Sequence, residues 1–196
     1  MAVQLWMCEL RRTLTNEEQT ALLERLPADR RARLLSNRRQ ERWREPLCAY
    51  ALLRLAVRQL YGWPGLPDVA LTEHGKPFFP EYEDRHFGIS HTEGGVLVGL
   101  SETSVGVDLE RLRPVSGRVK RRLELAGQTE RSYFQSWTLH EAAVKREDSD
   151  AAKLRDVAYM EGAKQIALPP GFVGAAAGEG PILEMTLISM EDLLRF

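Results

Sequence analysis

Hydrophobic and polar positions change period along this chain, and each change marks an element. Residues Val3 to Leu10 alternate and are rich in Val, Leu and Trp, which predicts a strand. Thr15 and Glu18 have the spacing of a capping box, in which a hydroxyl and a carboxylate satisfy each other's backbone amides. They open a helix with Leu22, Leu23 and Leu26 on one stripe, and Pro27 closes it. Arg30 to Glu45 is helical in composition but loaded with arginine. Pro46 is expected to break or kink that helix, because proline has no amide hydrogen for an interior bond. A further helix is predicted from about Leu47 to Leu60, with Leu47, Ala51, Leu52, Leu55 and Ala56 on its buried face, and Gly62-Trp63-Pro64-Gly65 forms a loop.

The pattern then shortens. His86–Ser90, Val96–Ser101 and Val105–Glu110 are apolar runs divided by Gly94-Gly95 and by Glu102-Thr103-Ser104, so they predict strands. Arg118 to Ala126 and Thr129 to Glu147 return to a helical period, and DVAYM, KQIAL and ILEMTLISM predict closing strands. Segregated blocks of helix and strand favour an α+β fold over a doubly wound parallel sheet. A boundary near Glu102 to Ser104 divides the chain into segments 1–103 and 104–196.

Composition narrows the class. The 196 residues are 43% hydrophobic and 28% charged, with 27 basic and 28 acidic groups giving a formal charge of −1. These values exclude wholesale disorder and collagen-like or low-complexity polymers. No apolar run is long enough to span a bilayer. Cys8 and Cys48 stand far apart without a CxxC or Cys/His partner, which argues against a disulfide framework and a thiolate zinc site. A reduced, cytoplasmic protein is expected. The N-terminus has no basic segment leading into an apolar core, so it reads as mature protein.

Several segments carry candidate chemistry. Asp108 and Glu110 lie two apart in an apolar strand, so they point to one face. They are either the exposed side of an edge strand or a pair awaiting a hard cation such as Mg²⁺. Trp137, Glu141 and Lys145 are spaced by four on a helix. Glu141 and Lys145 read as a surface pair or, with Asp108 and Glu110, as part of a charged site. The Gly75-Lys76-Pro77 turn offers close backbone approach and a point charge for phosphate, or merely starts a strand. Ser90-His91 ends a strand, where hydroxyl and imidazole can donate to phosphate oxygens. Arg30, Arg31, Arg33, Arg38, Arg39, Arg42 and Arg44 suit phosphates, an acidic protein surface or a solvated helix face. Balanced charge and the lack of interleaved aromatics argue against nucleic acid.

In combination, GVDLE at Gly106–Glu110 and WTLHEAAVK at Trp137–Lys145 resemble the paired signature of Sfp-type 4′-phosphopantetheinyl transferases. HGKPFFP and FGISHT precede them in the family's order. The resemblance implies two similar α+β subdomains forming a pseudo-dimer, with coenzyme A between them and a monomer sufficient for activity. It implies transfer of 4′-phosphopantetheine from coenzyme A to a serine of an acyl or peptidyl carrier protein, leaving 3′,5′-ADP. Asp108, Glu110 and Glu141 would hold Mg²⁺, and Glu141 would serve as base for the carrier serine. Lys145 would neutralise charge on the departing phosphate. Gly75, Lys76, Pro77, Ser90 and His91 would bind coenzyme A, with Arg44 or Arg42 on the nucleotide phosphate. Three departures stand out: His140 replaces the usual lysine, the Glu110–Glu141 interval is short, and REDSDAA follows Lys145 in place of a glycine-containing turn. They leave open a non-catalytic relative that binds coenzyme A or carrier without turnover.

Overall fold

A computed structural model describes residues 2–37, 39–115, 129–148 and 162–196. The helix expected at Arg118–Ala126, the strand expected at DVAYM, and Arg38 lie outside the described residues.

The chain forms strand β1 (Val3–Glu9), helices α1 (Asn16–Glu24) and α2 (Ala28–Leu35), a short 3₁₀ turn at Gln40–Arg42, and helix α3 (Arg44–Tyr61). Strands β2 (Ala70–Leu71), β3 (Pro77–Phe78), β4 (His86–Thr92), β5 (Gly95–Ser101) and β6 (Gly106–Arg111) follow. Helix α4 (Glu130–Glu147), strands β7 (Ala163–Gln165), β8 (Phe172–Ala177) and β9 (Ile182–Ile188), and helix α5 (Met190–Arg195) complete it. The mixed α+β class agrees with the pattern of the sequence.

Two sheets carry the architecture, one ordered β4-β5-β1-β9 and the other β6-β8-β7. Helix α3 packs on the first sheet and α4 on the second. On β1, Trp6 and Cys8 face the α3 side, while Val3, Leu5 and Met7 face the other sheet. Burial on both faces explains why β1 is nearly continuous in apolar residues. Val105, Val107, Leu109, Phe172 and Ala176 complete the core between the sheets. Between β5 and β6 the chain leaves the first sheet for the second. The last strand then returns: β9 pairs parallel with β1, and Met190 and Leu193 of α5 join the α3 core.

Local chemistry explains the ends of the elements. The Thr15–Glu18 capping box forms at α1, with both reciprocal bonds present. Pro46 does not break a helix: α3 starts at Arg44, which puts proline in the first turn, where amides have no intrahelical acceptor. The interruption falls earlier, after α2 ends at Leu35 and before α3 starts at Arg44. Of the expected α3 face, Leu47, Leu52, Leu55 and Ala56 are buried and Ala51 is half-buried. β8, FVGAAA, is a strand the sequence pattern does not predict, and it forms the centre of the second sheet. The expected KQIAL strand is short and ends at Gln165.

Candidate functional site

The site grows where the edges of the two sheets meet. Ser90 and Thr92 are two apart on edge strand β4, and their hydroxyls accept from the amides of Leu109 (3.1 Å) and Arg111 (3.2 Å) on edge strand β6. This matched spacing locks the edges together without a backbone ladder. Helix α4 covers the far side of β6. At Gly106 the helix comes so close that a Cβ would collide with the Ala142 carbonyl and the Arg146 amide. The glycine of GVDLE therefore sets how deeply α4 sits.

That close approach brings Lys145 to Asp108. Lys145 Nζ donates to Asp108 Oδ1 at 2.6 Å and to Ser90 Oγ at 3.3 Å, and Ser90 Oγ donates to the same Asp108 oxygen at 3.0 Å. Asp108 is buried, and its Oδ2 has no hydrogen-bond partner. An unpartnered carboxylate oxygen inside a protein is costly unless a further group satisfies it. Glu141 stands half-buried one turn before Lys145. Burial raises its pKa above the usual carboxylate range, and the charges of Asp108 and Glu110 raise it further, while Lys145 and His140 oppose the shift. The Glu141 carboxylate therefore senses both acids of β6. Glu110 itself accepts from Arg113 Nη1 at 2.8 Å. Among the described residues, no three His, Cys, Asp or Glu side chains gather as a ligand set. The orphaned Asp108 oxygen and the all-oxygen character of Asp108, Glu110 and Glu141 nonetheless suit a hard cation.

A cavity of about 270 Å³ adjoins this cluster, lined by Gly75, Lys76, Pro77, Ile89, Lys145 and Asp148, among others. It joins the glycine-lysine-proline turn to the end of α4. Lys76 is half-buried, and its Nζ donates to Ser104 Oγ (2.7 Å) and to the Arg146 carbonyl (2.8 Å). Desolvation lowers its pKa to about 8, against the pull of Asp148 and Glu147. A second cavity, of about 320 Å³, lies across the turn and includes Arg30, Arg33, Gly75 and Pro77. His91 is exposed, with its pKa lowered by partial desolvation and by Lys145, while Glu45 and Asp108 pull it up.

The structure thus brings Asp108, Lys145 and Ser90 together, keeps Glu141 within electrostatic range of Asp108, and places Gly75, Lys76 and Pro77 in the adjoining cavity. Arg44 is paired with its neighbour: its Nε and Nη2 donate to Glu45 Oε1 at 2.9 and 2.5 Å. Arg42 is exposed on the 3₁₀ turn. Sequence reasoning misses Ser104, Arg113, Thr72 and Asp148, all of which bond to this machinery. No spacing rule marks them, because each meets its partner across a turn or a distant loop. Cys8 and Cys48 are both buried, and burial pushes both thiols to about 12, which leaves them inert at neutral pH. Among the described residues, no helix is long and apolar enough to cross a membrane.

No family model matches the chain. It is similar to proteins named as 4′-phosphopantetheinyl transferases. One from Bacillus subtilis is 23% identical over 180 residues, covering 82% of this chain and 79% of that protein. The 4′-phosphopantetheinyl transferase Sfp of Bacillus subtilis (strain 168) is 23% identical over 222 residues of alignment, covering 93% of this chain and 96% of that one. A 4′-phosphopantetheinyl transferase gsp of Aneurinibacillus migulanus is 31% identical over 84 residues, 37% of this chain and 35% of its own. The likeness is distant, extends over most of the chain, and points to a transferase.

Proposed function

We propose that this protein transfers 4′-phosphopantetheine from coenzyme A to a serine of an acyl or peptidyl carrier protein in a Mg²⁺-dependent reaction that releases 3′,5′-ADP. The observation that carries the reading is the Asp108 cluster: one oxygen on Lys145, the other buried without a partner, beside a Glu141 whose pKa is raised. In this reading segments 1–103 and 104–196 are two pseudo-dimeric subdomains. Each is a sheet backed by one long helix, with β9 and α5 returning to the first. Coenzyme A lies between them, and one copy of the chain suffices.

The carrier serine oxygen attacks the phosphorus on the pantetheine side of the pyrophosphate. A new phosphorus–oxygen bond forms, the bond to the bridging oxygen breaks, and 3′,5′-ADP leaves with that oxygen. Glu141 takes the serine proton as general base, since a hydroxyl is a weak nucleophile until it is deprotonated. Lys145 neutralises charge on the departing phosphate from its anchor on Asp108. Phosphoryl transfer depends on such positioning and charge compensation more than on covalent help. Asp108, Glu110 and Glu141 would hold Mg²⁺, which when bound polarises phosphoryl oxygens. Gly75, Lys76, Pro77, Ser90, His91 and Arg44 bind coenzyme A. Two of the three donor bonds of the Lys76 ammonium go to the protein, leaving one for a phosphate oxygen. The arginines of Arg30–Arg44 steer an acidic carrier. The setting is cytoplasmic.

A second reading is a coenzyme A- or carrier-binding relative without turnover. The ion pairs that already engage Asp108 and Glu110, with Lys145 and Arg113, favour it. Incubation with coenzyme A, Mg²⁺ and a panel of apo carriers separates the two. Transfer appears as a carrier mass increase that EDTA abolishes. Calorimetric binding of coenzyme A without any mass increase selects the second reading.

A further inference from the structure

Helix α4 ends in an unusual way. Its cap, Asp148, has φ 51°, and it is the one non-glycine residue with positive φ among the described residues. That left-handed backbone suits glycine and is unfavourable for a side chain. The carboxylate explains the choice of residue. Thr72 Oγ1 donates to Asp148 Oδ1 at 2.8 Å, across 76 positions of sequence. Thr72 is held in turn by its own loop: the Lys76 amide donates to Thr72 Oγ1 (3.0 Å), the Gly75 amide to the Thr72 carbonyl (3.0 Å), and the Thr72 amide to the Lys76 carbonyl (2.9 Å). Gly75, at φ 86°, permits this tight turn. From the same turn Lys76 Nζ reaches the Arg146 carbonyl, and Ser104 Oγ donates to that oxygen at 2.5 Å. The last carbonyls of a helix lack intrahelical donors, and a cation there also meets the negative end of the helix dipole. Three side chains from two loops therefore converge on the residues that immediately follow Lys145.

We propose that Thr72 and Asp148 are positioning residues: the 72–76 turn is a clamp that fixes the end of α4 so that Lys145 reaches Asp108 and Ser90. The inference rests on the transferase reading for its effect on rate, but the clamp itself does not. Neither residue touches the reacting atoms. The clamp sets the alignment of Lys145 and Glu141, and small misplacements of such groups cost rate steeply.

The test uses the full chain and four variants. Thr72→Val and Asp148→Ala should lower kcat about tenfold at saturating coenzyme A. Asp148→Asn, which keeps an acceptor for Thr72 and tolerates the left-handed backbone, should restore kcat. Asp148→Gly is the sharpest probe, because it relieves the backbone but cannot bond Thr72. It should melt no lower than the wild type and still transfer about tenfold more slowly. Wild-type kcat in Asp148→Gly and Thr72→Val would overturn the clamp. Amide exchange over residues 140–148 decides the matter even for a protein that transfers nothing. Faster exchange in Thr72→Val supports the clamp while the transferase reading falls, and unchanged exchange overturns the clamp.

Discussion

Around α3 the core is built from Leu47, Leu52, Leu53, Leu55 and Val57 with Trp6, Trp43, Phe79 and Phe87. Between α4 and the second sheet the buried cluster is Ala142, Ala175 and Ala177, with Gly106 beneath the helix. Burying a leucine-sized side chain contributes about 1.5–3 kcal/mol, and a single methyl less than about 1 kcal/mol. Among the described residues, the layer under α3 therefore contributes more hydrophobic stability than the layer under α4. The second gives up that burial for proximity. Small residues let the α4 backbone settle onto β6, so a side chain as short as aspartate is met by a lysine from the helix. Large aliphatic residues there would hold the helix farther off and leave Asp108 without its cation.

Substitutions can break this comparison at either end. Leu52→Ala removes a fully buried side chain and should cost about 3–4 kcal/mol in urea unfolding, while Ala175→Gly in the thin core should cost about 1 kcal/mol. Equal losses would show that the two cores do not differ as described. Gly106→Ala should cost about 3 kcal/mol through overpacking and abolish transfer as well, since α4 must move away from β6. Retention of wild-type stability there would remove the close-approach argument.

Smaller effects sharpen the polar side of the comparison. Lys145→Met leaves the buried Asp108 carboxylate without its cation. Lys145 is about one-third exposed (35%), so the loss should be near 2 kcal/mol, below that of a fully buried pair. Adding Asp108→Asn should recover most of it, and a double-mutant cycle measures the coupling. The smallest effect is a gain. The folded-state pKa of Glu141 lies above its unfolded value, so the fold favours the protonated carboxyl. That contribution is complete below the unfolded pKa and is lost as pH rises through the raised one. Glu141→Gln should therefore raise Tm slightly at neutral pH, with the gain vanishing below about pH 4. A lower Tm at pH 7 would mean that Glu141 is structural.

The parts legible in the sequence are those written in local period. The capping box, the short apolar runs of β4 and β5 between turn residues, the span of α4 and the shared face of Asp108 and Glu110 follow from spacing alone. β8 escapes because Phe172–Ala177 is largely glycine and alanine, with little β-propensity and no alternation when both faces are buried. Pro46 misleads because proline carries opposite meanings in a helix interior and in a first turn, and only the true start at Arg44 decides between them. The return of β9 to β1 depends on pairing across most of the chain, which no local signal encodes. In the site, spacing identifies Asp108, Glu141 and Lys145 as candidates. It gives no sign that Thr72 holds Asp148, because that bond depends on how a distant turn meets the end of α4, and Arg113 takes Glu110 only because the chain turns just beyond β6.

The central claim is that the Asp108–Glu141–Lys145 cluster at the junction of the two halves performs phosphopantetheinyl transfer. Intact-protein mass spectrometry of an apo carrier, after incubation with coenzyme A, Mg²⁺ and either wild-type protein or Glu141→Gln, tests it most directly. The account predicts a carrier heavier by one phosphopantetheine with the wild type and an unmodified carrier with Glu141→Gln, although that variant is folded and binds coenzyme A. Equal modification by both proteins would contradict it.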